Sequence, residues 1–152
     1  MSVERFTLDT NILVYSVDAR DIAKRDLALT IMEAAVILDC PLALQAIGEF
    51  YAAATAKVKL PPQDARARAR QLMSAFEMFA YSANALRIGM EEASLGKFSL
   101  WDGVLLASAA EAGCTVILSE DMQDGARLGP ITICNPFGPD GLSAGAREAL
   151  GL

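Results

Sequence analysis

Thr115-Val116-Ile117-Leu118-Ser119-Glu120-Asp121 holds the clearest strand of the chain and an acid three residues beyond its end. Its opening run is β-prone and does not alternate polar with apolar, which is the pattern of a strand covered on both faces in a parallel sheet. Just upstream, Ser99-Leu100-Trp101-Asp102 opens a helix that continues through Leu105-Leu106-Ala107 to Ala112 and stops at Gly113, a C′ glycine. Downstream, Ile131-Thr132-Ile133-Cys134 reads as a last strand before Asn135-Pro136-Phe137. At the start of the chain Arg5-Phe6-Thr7-Leu8 is a short β-prone run that ends on Asp9.

The segments between alternate in the same way. Ile12 to Asp18 predicts a short helix, and Asp21 caps a longer one whose apolar positions are Ile22, Leu27, Ile31, Ala34, Ala35 and Leu38. Leu42-Ala43-Leu44 reads as a strand, Ala46 to Lys57 as a helix, and Pro61 to Phe79 as another that buries Ala65, Ala69, Leu72, Met73 and Phe76. Ser82 to Gly96 follows as a helix. Short strands alternating with helices predict an α/β fold of three layers around a short, mainly parallel sheet. One domain is expected over residues 1–137. The glycine-rich tail, 138–152, is expected to pack on it or extend it, loosely held, with a turn or two of helix at Ser143–Leu150.

Composition bounds the chemistry. At 152 residues, 53% hydrophobic and 21% charged, the chain has ample material for a core and is not disordered. Its mean hydropathy is high at +0.32, yet the greasiest run, Leu27 to Leu38, is broken by Thr30 and Glu33, too soon for a membrane span. Met1 to Arg5 lacks a signal-peptide pattern, so a cytoplasmic protein is expected. Histidine is absent, which removes Ser-His-Asp triads, Cys-His pairs and His-containing zinc sites. Cys40, Cys114 and Cys134 are odd in number and widely spaced, as buried thiols of a reducing compartment would be. A net charge of −6 disfavours a polyanionic partner at first sight. Enzymatic work must therefore come from carboxylates, hydroxyls, Lys, Arg or a metal.

In open α/β sheets ligands bind beyond the carboxyl ends of the strands. Asp9 and Asp121 follow strands directly, while Glu49 and Asp102 lie early in helices that can project toward the same end. Each has an ordinary alternative: Asp9 as a helix cap, Asp102 as the acid of an S-x-x-D capping box, Glu49 as a solvated helix residue, Asp121 as the cap of a helix from Met122. Gathering like charges raises their pKa values, and a hard cation such as Mg²⁺ or Mn²⁺ is the natural counter-ion for carboxylates without His or thiolate.

Leu8-Asp9-Thr10-Asn11-Ile12-Leu13, Ile47-Gly48-Glu49-Phe50, Trp101-Asp102-Gly103-Val104-Leu105 and Leu118-Ser119-Glu120-Asp121-Met122 resemble, in order, the four motifs of PIN-domain ribonucleases. Ile133-Cys134-Asn135-Pro136-Phe137 resembles the closing strand of VapC toxins from toxin–antitoxin pairs. The likeness covers about residues 3 to 137. It implies a PIN-like α/β/α fold and a Mg²⁺- or Mn²⁺-dependent endoribonuclease, in which Asp9, Glu49, Asp102 and Asp121 hold one or two metal ions. Thr10 and Asn11 would orient Asp9 or a metal-bound water, Ser119 would do so near Asp121, Asp124 would be an auxiliary acid, and Glu120 would point away. The family further implies a homodimer and a cognate antitoxin.

Residues 57 to 87 carry six basic groups against two acids. Lys57, Lys59, Arg66 and Arg70 are therefore candidate RNA contacts, against the alternative of a merely solvated helix. Two rival functions stand beside the nuclease. A haloacid-dehalogenase-like phosphatase would need an Asp where Asn11 stands and a lysine in a context that Lys97 lacks. A PIN-like scaffold without activity would have no reason to keep four costly acids together.

Overall fold

The computed structural model describes residues 4–152; the Met1–Val3 part of the expected leaderless start lies outside them. Strands β1 (Phe6–Leu8), β4 (Val116–Leu118) and β6 (Ile131–Cys134) run parallel in that spatial order, with Leu8 opposite Leu118 and Leu118 opposite Cys134. β1 and β4 are buried throughout; β4 is an unbroken apolar run, whereas β1 buries a threonine between Phe6 and Leu8. A two-residue strand, β5 (Arg127–Leu128), adds antiparallel to β6 at the edge. A second parallel pair is formed by β2 (Leu42–Ala43) and β3 (Met78–Phe79).

β2 lies against β1 without a shared ladder. Side chains make the joint instead: the buried Thr7 hydroxyl donates to the Pro41 carbonyl at 2.6 Å, and the Cys40 thiol donates to the Phe6 carbonyl at 3.1 Å.

The helices are α1 (Thr10–Tyr15), α2 (Ile22–Ile37), α3 (Leu44–Ala56), α4 (Pro62–Ala75), α5 (Ala83–Ser94), α6 (Leu100–Glu111) and α7 (Ala144–Leu150). One group links α1 with α2 and α3, α3 with α4, and α2 with α7; the other is α5 against α6, with α6 lying on β2, β5 and β6. α5 and α6 cross so closely that a Cβ on Gly89 would stand 2.5 Å from Val104 Cγ2 and 2.9 Å from the Leu100 carbonyl oxygen. Glycine at 89 is what permits the contact, and Gly103 faces it with its would-be Cβ 3.0 Å from Gly89 Cα. The mainly parallel sheet with these helices is the α/β architecture expected from the alternation of elements.

Several boundaries differ from the sequence expectation. The helix expected to run to Phe79 ends at Ala75, because Phe76 turns extended (φ −120°, ψ 147°) and the next carbonyl, of Glu77, accepts the Leu42 amide at 2.8 Å. Sheet pairing thus outcompetes an apolar spacing that would have allowed further helix, and Met73 is exposed. On α2, Ile22 and Leu38 face outward while Ala28, Ile31, Ala34 and Ala35 make the buried stripe. No helix starts at Met122, where the chain turns irregularly toward β5. The tail is ordered rather than loose: β7 (Phe137–Gly138) and β8 (Gly141–Leu142) form a hairpin. The Ser143 side chain then caps α7, and Ala146 and Leu150 enter the core.

All three cysteines are free, two buried and Cys134 half-buried, and burial pushes their thiols up, Cys114 to about 11. Among the described residues no helix is long and apolar enough to cross a membrane.

Candidate active site

Asp9 ends β1 and caps α1: its Oδ1 accepts the Thr10 amide at 2.7 Å, and its own amide donates to Leu118 at 2.9 Å, fixing it against β4. So the capping role is real, but it uses only one carboxylate oxygen. Oδ2 accepts from Ser119 Oγ at 2.7 Å and from Asn11 Nδ2 at 3.2 Å. Asn11 also donates to Asp121 Oδ2 at 3.2 Å and accepts the Glu120 amide at 3.2 Å. It therefore ties the acid after β1 to the acid after β4. Ser119, expected to serve Asp121, is instead turned to Asp9 and also accepts the Met122 amide at 3.3 Å.

Asp102 stands in the first turn of α6, where its amide donates to Ser99 Oγ at 3.2 Å. The serine half of the capping box forms, whereas the Asp102 carboxylate has no hydrogen-bond partner among the described residues and lines the same cavity as Asp9. Glu49, exposed in the second turn of α3, accepts from Gln45 Nε2 at 3.0 Å, and that amide also holds the Trp101 carbonyl at 3.1 Å. Asp9, Glu49, Asp102 and Asp121 thus line one open cavity of about 610 Å³, together with Thr10 and Asn11.

Asp9 is only 7% exposed, and its carboxyl is pushed up to about 6. Desolvation is the main cause; the bonds from Ser119 and Thr10 oppose it, and the charges of Asp102 and Asp121 add to it. Among the described residues no three acids stand close enough together to form a ready cage for an ion. The donor set still fits a hard cation, since every donor is oxygen and Mg²⁺ is typically held by one or two carboxylates while keeping several waters. A second observation supports the fit: Thr10 Oγ1, in the cavity wall, is buried with no hydrogen-bond partner.

Asp124 is not part of this cavity; its Oδ1 accepts the Asn135 amide at 2.8 Å. Of the four basic candidates, Lys57 lines the cavity, whereas Lys59, Arg66 and Arg70 are exposed outside its lining. Glu120 points away, bonded to Tyr15 and, at 2.6 Å, to Lys24, whose ammonium sits 4.9 Å above the Tyr15 ring. Burial is also the first cause that pushes the Tyr15 hydroxyl up. Asp18, Arg20 and Tyr15 line the cavity too and were missed by sequence reasoning; the D-x-R spacing at residues 18–20 was the available signal.

The family model for the PIN domain matches residues 6–123. In fold, the chain is similar to the VapC20 toxin of Mycobacterium tuberculosis, a sarcin–ricin loop cleaving toxin. The TM-score is 0.63 at 16% identity, over 76% of this chain and 89% of that one. A toxin–antitoxin complex from Klebsiella pneumoniae gives 0.62 at 18% identity, over 88% and 98%. DNA-bound VapBC from Salmonella typhimurium gives 0.60 at 18%, over 86% and 96%. No curated protein matches the sequence. The family match spans most of the chain and encloses Asp9, Glu49, Asp102 and Asp121, and on that ground the chain belongs to the PIN-domain family.

Proposed function

We propose that the protein is a Mg²⁺- or Mn²⁺-dependent endoribonuclease, the toxin of a VapBC-type toxin–antitoxin pair. The observation that carries this reading is the convergence of four acids from four separate segments on one open cavity of a PIN fold. Asp9, Asp102, Asp121 and Glu49 would hold the cation, which supplies a water of lowered pKa and charge stabilisation at the phosphoryl oxygens. The chain's own contribution is orientation. Ser119, the Thr10 amide and Asn11 fix both oxygens of Asp9, and Asn11 sets Asp121 at its other side. In the absence of a cation, burial first and the charges of Asp102 and Asp121 last raise the Asp9 carboxyl to about 6; a bound cation would reverse that shift and hold Asp9 ionised as a ligand.

The toxin role draws on the VapC and VapBC structures that share the fold. A protein partner suits the outward apolar side of α2, where Ile22, Leu29, Val36, Ile37 and Leu38 are exposed. A homodimer suits the separate exposed patch of Leu44, Tyr81 and Trp101. An RNA substrate and three free thiols go with a reducing, cytoplasmic setting. The phosphatase alternative is disfavoured because residue 11 is an amide that donates to two carboxylates, not the second acid such chemistry needs.

The test is cleavage of single-stranded RNA by wild type and Asp9→Asn in Mg²⁺, Mn²⁺ or EDTA. Wild type should cleave with either metal and stop in EDTA, and Asp9→Asn should lose more than about a hundredfold. Equal cleavage in every condition overturns the mechanism.

A further inference from the structure

The cavity that holds the acids also carries two cations that the acidic chemistry does not use. Arg20 is one. The carboxylate of the buried Asp18 accepts its Nε at 2.8 Å and its backbone amide at 3.1 Å on one oxygen, and its Nη2 at 2.9 Å on the other. This two-point clamp fixes the plane of a guanidinium whose side chain is still 66% exposed. A guanidinium has five N–H donors, and Asp18 occupies two of them; the rest have no partner among the described residues. Lys57 is the other cation. It caps the C-terminus of α3, is exposed, and forms no ion pair among the described residues.

The spacing gives these cations a meaning. Lys57 lies on the helix of Glu49 and eight residues beyond it, about 12 Å along the axis. Between them the cavity wall is Ala52, Ala53 and Ala56, which present nothing larger than a methyl group. Arg20 likewise follows the C-terminal end of α1, the helix whose N-cap is Asp9. Glu49 and Lys57 are thus set apart along α3 with a neutral alanine floor between them, and Arg20, in the turn after α1, lines the same cavity as Asp9. A polyanionic strand can use this arrangement: carboxylates where a cation would intervene, an ammonium at Lys57 with no ion pair among the described residues, and at Arg20 a guanidinium held by Asp18 that still offers N–H donors to a phosphate.

We infer that Arg20, positioned by Asp18, and Lys57 form a phosphate-binding site for the RNA strand next to the cleaved bond. The inference rests on the nuclease reading and adds to it a substrate requirement: the RNA must extend past the acids to reach the cations. Arg66 and Arg70, outside the cavity lining, are not part of this site.

Steady-state cleavage of single-stranded oligoribonucleotides in Mg²⁺ tests it, on a series from dinucleotide to decanucleotide and over a range of salt. Arg20→Ala and Lys57→Ala should each raise KM for the decanucleotide about tenfold with kcat nearly unchanged. The logarithmic salt dependence of kcat/KM should become shallower by about 0.7 for each lost contact. Asp18→Asn should reproduce the Arg20→Ala effect in part, and Lys97→Ala, outside the cavity, should change nothing. On the dinucleotide, wild type and Lys57→Ala should be equal, an outcome that general damage to the fold would not give. Unchanged KM on the decanucleotide, or an equal loss on both lengths, overturns the site while leaving the nuclease intact. A wild-type protein that cleaves no RNA overturns the nuclease reading, and the site falls with it.

Discussion

Asp9 shows how one side chain can serve structure and chemistry in opposition. Its carboxyl is raised to about 6 chiefly by burial, against 3.8 for the ordinary group. The folded chain therefore binds a proton there more tightly than the unfolded chain does. That contribution to stability is fully present below about pH 4 and is lost as pH rises through about 6. In EDTA, urea unfolding of wild type should lose on the order of 2 kcal/mol more than Asp9→Asn between about pH 4.5 and pH 7.5. Parallel pH profiles for the two proteins would contradict this. Asn11 acts through its neighbours: Asn11→Ala removes the one donor that Asp9 and Asp121 share among the described residues. RNA cleavage should fall about 10- to 100-fold, with the far-ultraviolet circular dichroism unchanged. Asp9 and Asp102 were legible in the sequence because they sit at a strand end and a helix start, and Glu49 and Asp121 because their short motifs fall in order with those two. The use of Asn11 as a bridge was not, because it depends on β1 and β4 being neighbours, which local spacing does not encode.

Among the elements, the α5–α6 crossing gives the sharpest expectation. Two glycines in helices have opposite signs of substitution. Gly89→Ala would push its Cβ against the Leu100 carbonyl, a backbone atom that cannot rotate away. The helix preference for alanine is outweighed, and unfolding free energy should fall by about 1–2 kcal/mol. Gly48 in α3 has nothing within 4 Å of the added methyl, so Gly48→Ala should stabilise by about 0.5–1 kcal/mol. Chemical denaturation of both variants checks the pair of signs. The long helices and the buried strands could be read from apolar spacing and caps such as Asp21, Ser82 and Ser99. The two-residue strands β3 and β5 could not, since two residues show no period, and the end of α4 was set by its distant partner Leu42.

For the molecule as a whole, the C-terminal segment decides how far the cooperative unit extends. Ala146, Ala149 and Leu150 are buried, and α7 rests on α2. Removing residues 144–152 should lower stability by about 3 kcal/mol, mostly through the lost burial of Leu150 and its neighbours. Calorimetry should show the full chain melting in one transition at a clearly higher temperature than the shortened one. A shortened chain with the same melting temperature would mean that the tail is a separate appendage. The net charge of −6, which disfavours a polyanionic partner at first sight, does not describe the cavity itself, where Lys57 and an Arg20 paired with Asp18 stand beside the acids.

The joint between β1 and β2 has one more implication. One of its two stitches is a thiol, and Asp9 stands at the end of the strand it secures. An oxidant that converted Cys40 to a sulfenic acid would replace the thiol that holds the Phe6 carbonyl, three residues along the chain from Asp9. Burial prevents this by keeping the sulfur protonated, and a thiol that does not ionise is a poor target for peroxide or disulfide exchange. The protein thus builds a sulfur atom into the support of its candidate active site without making that site sensitive to the redox state of its surroundings.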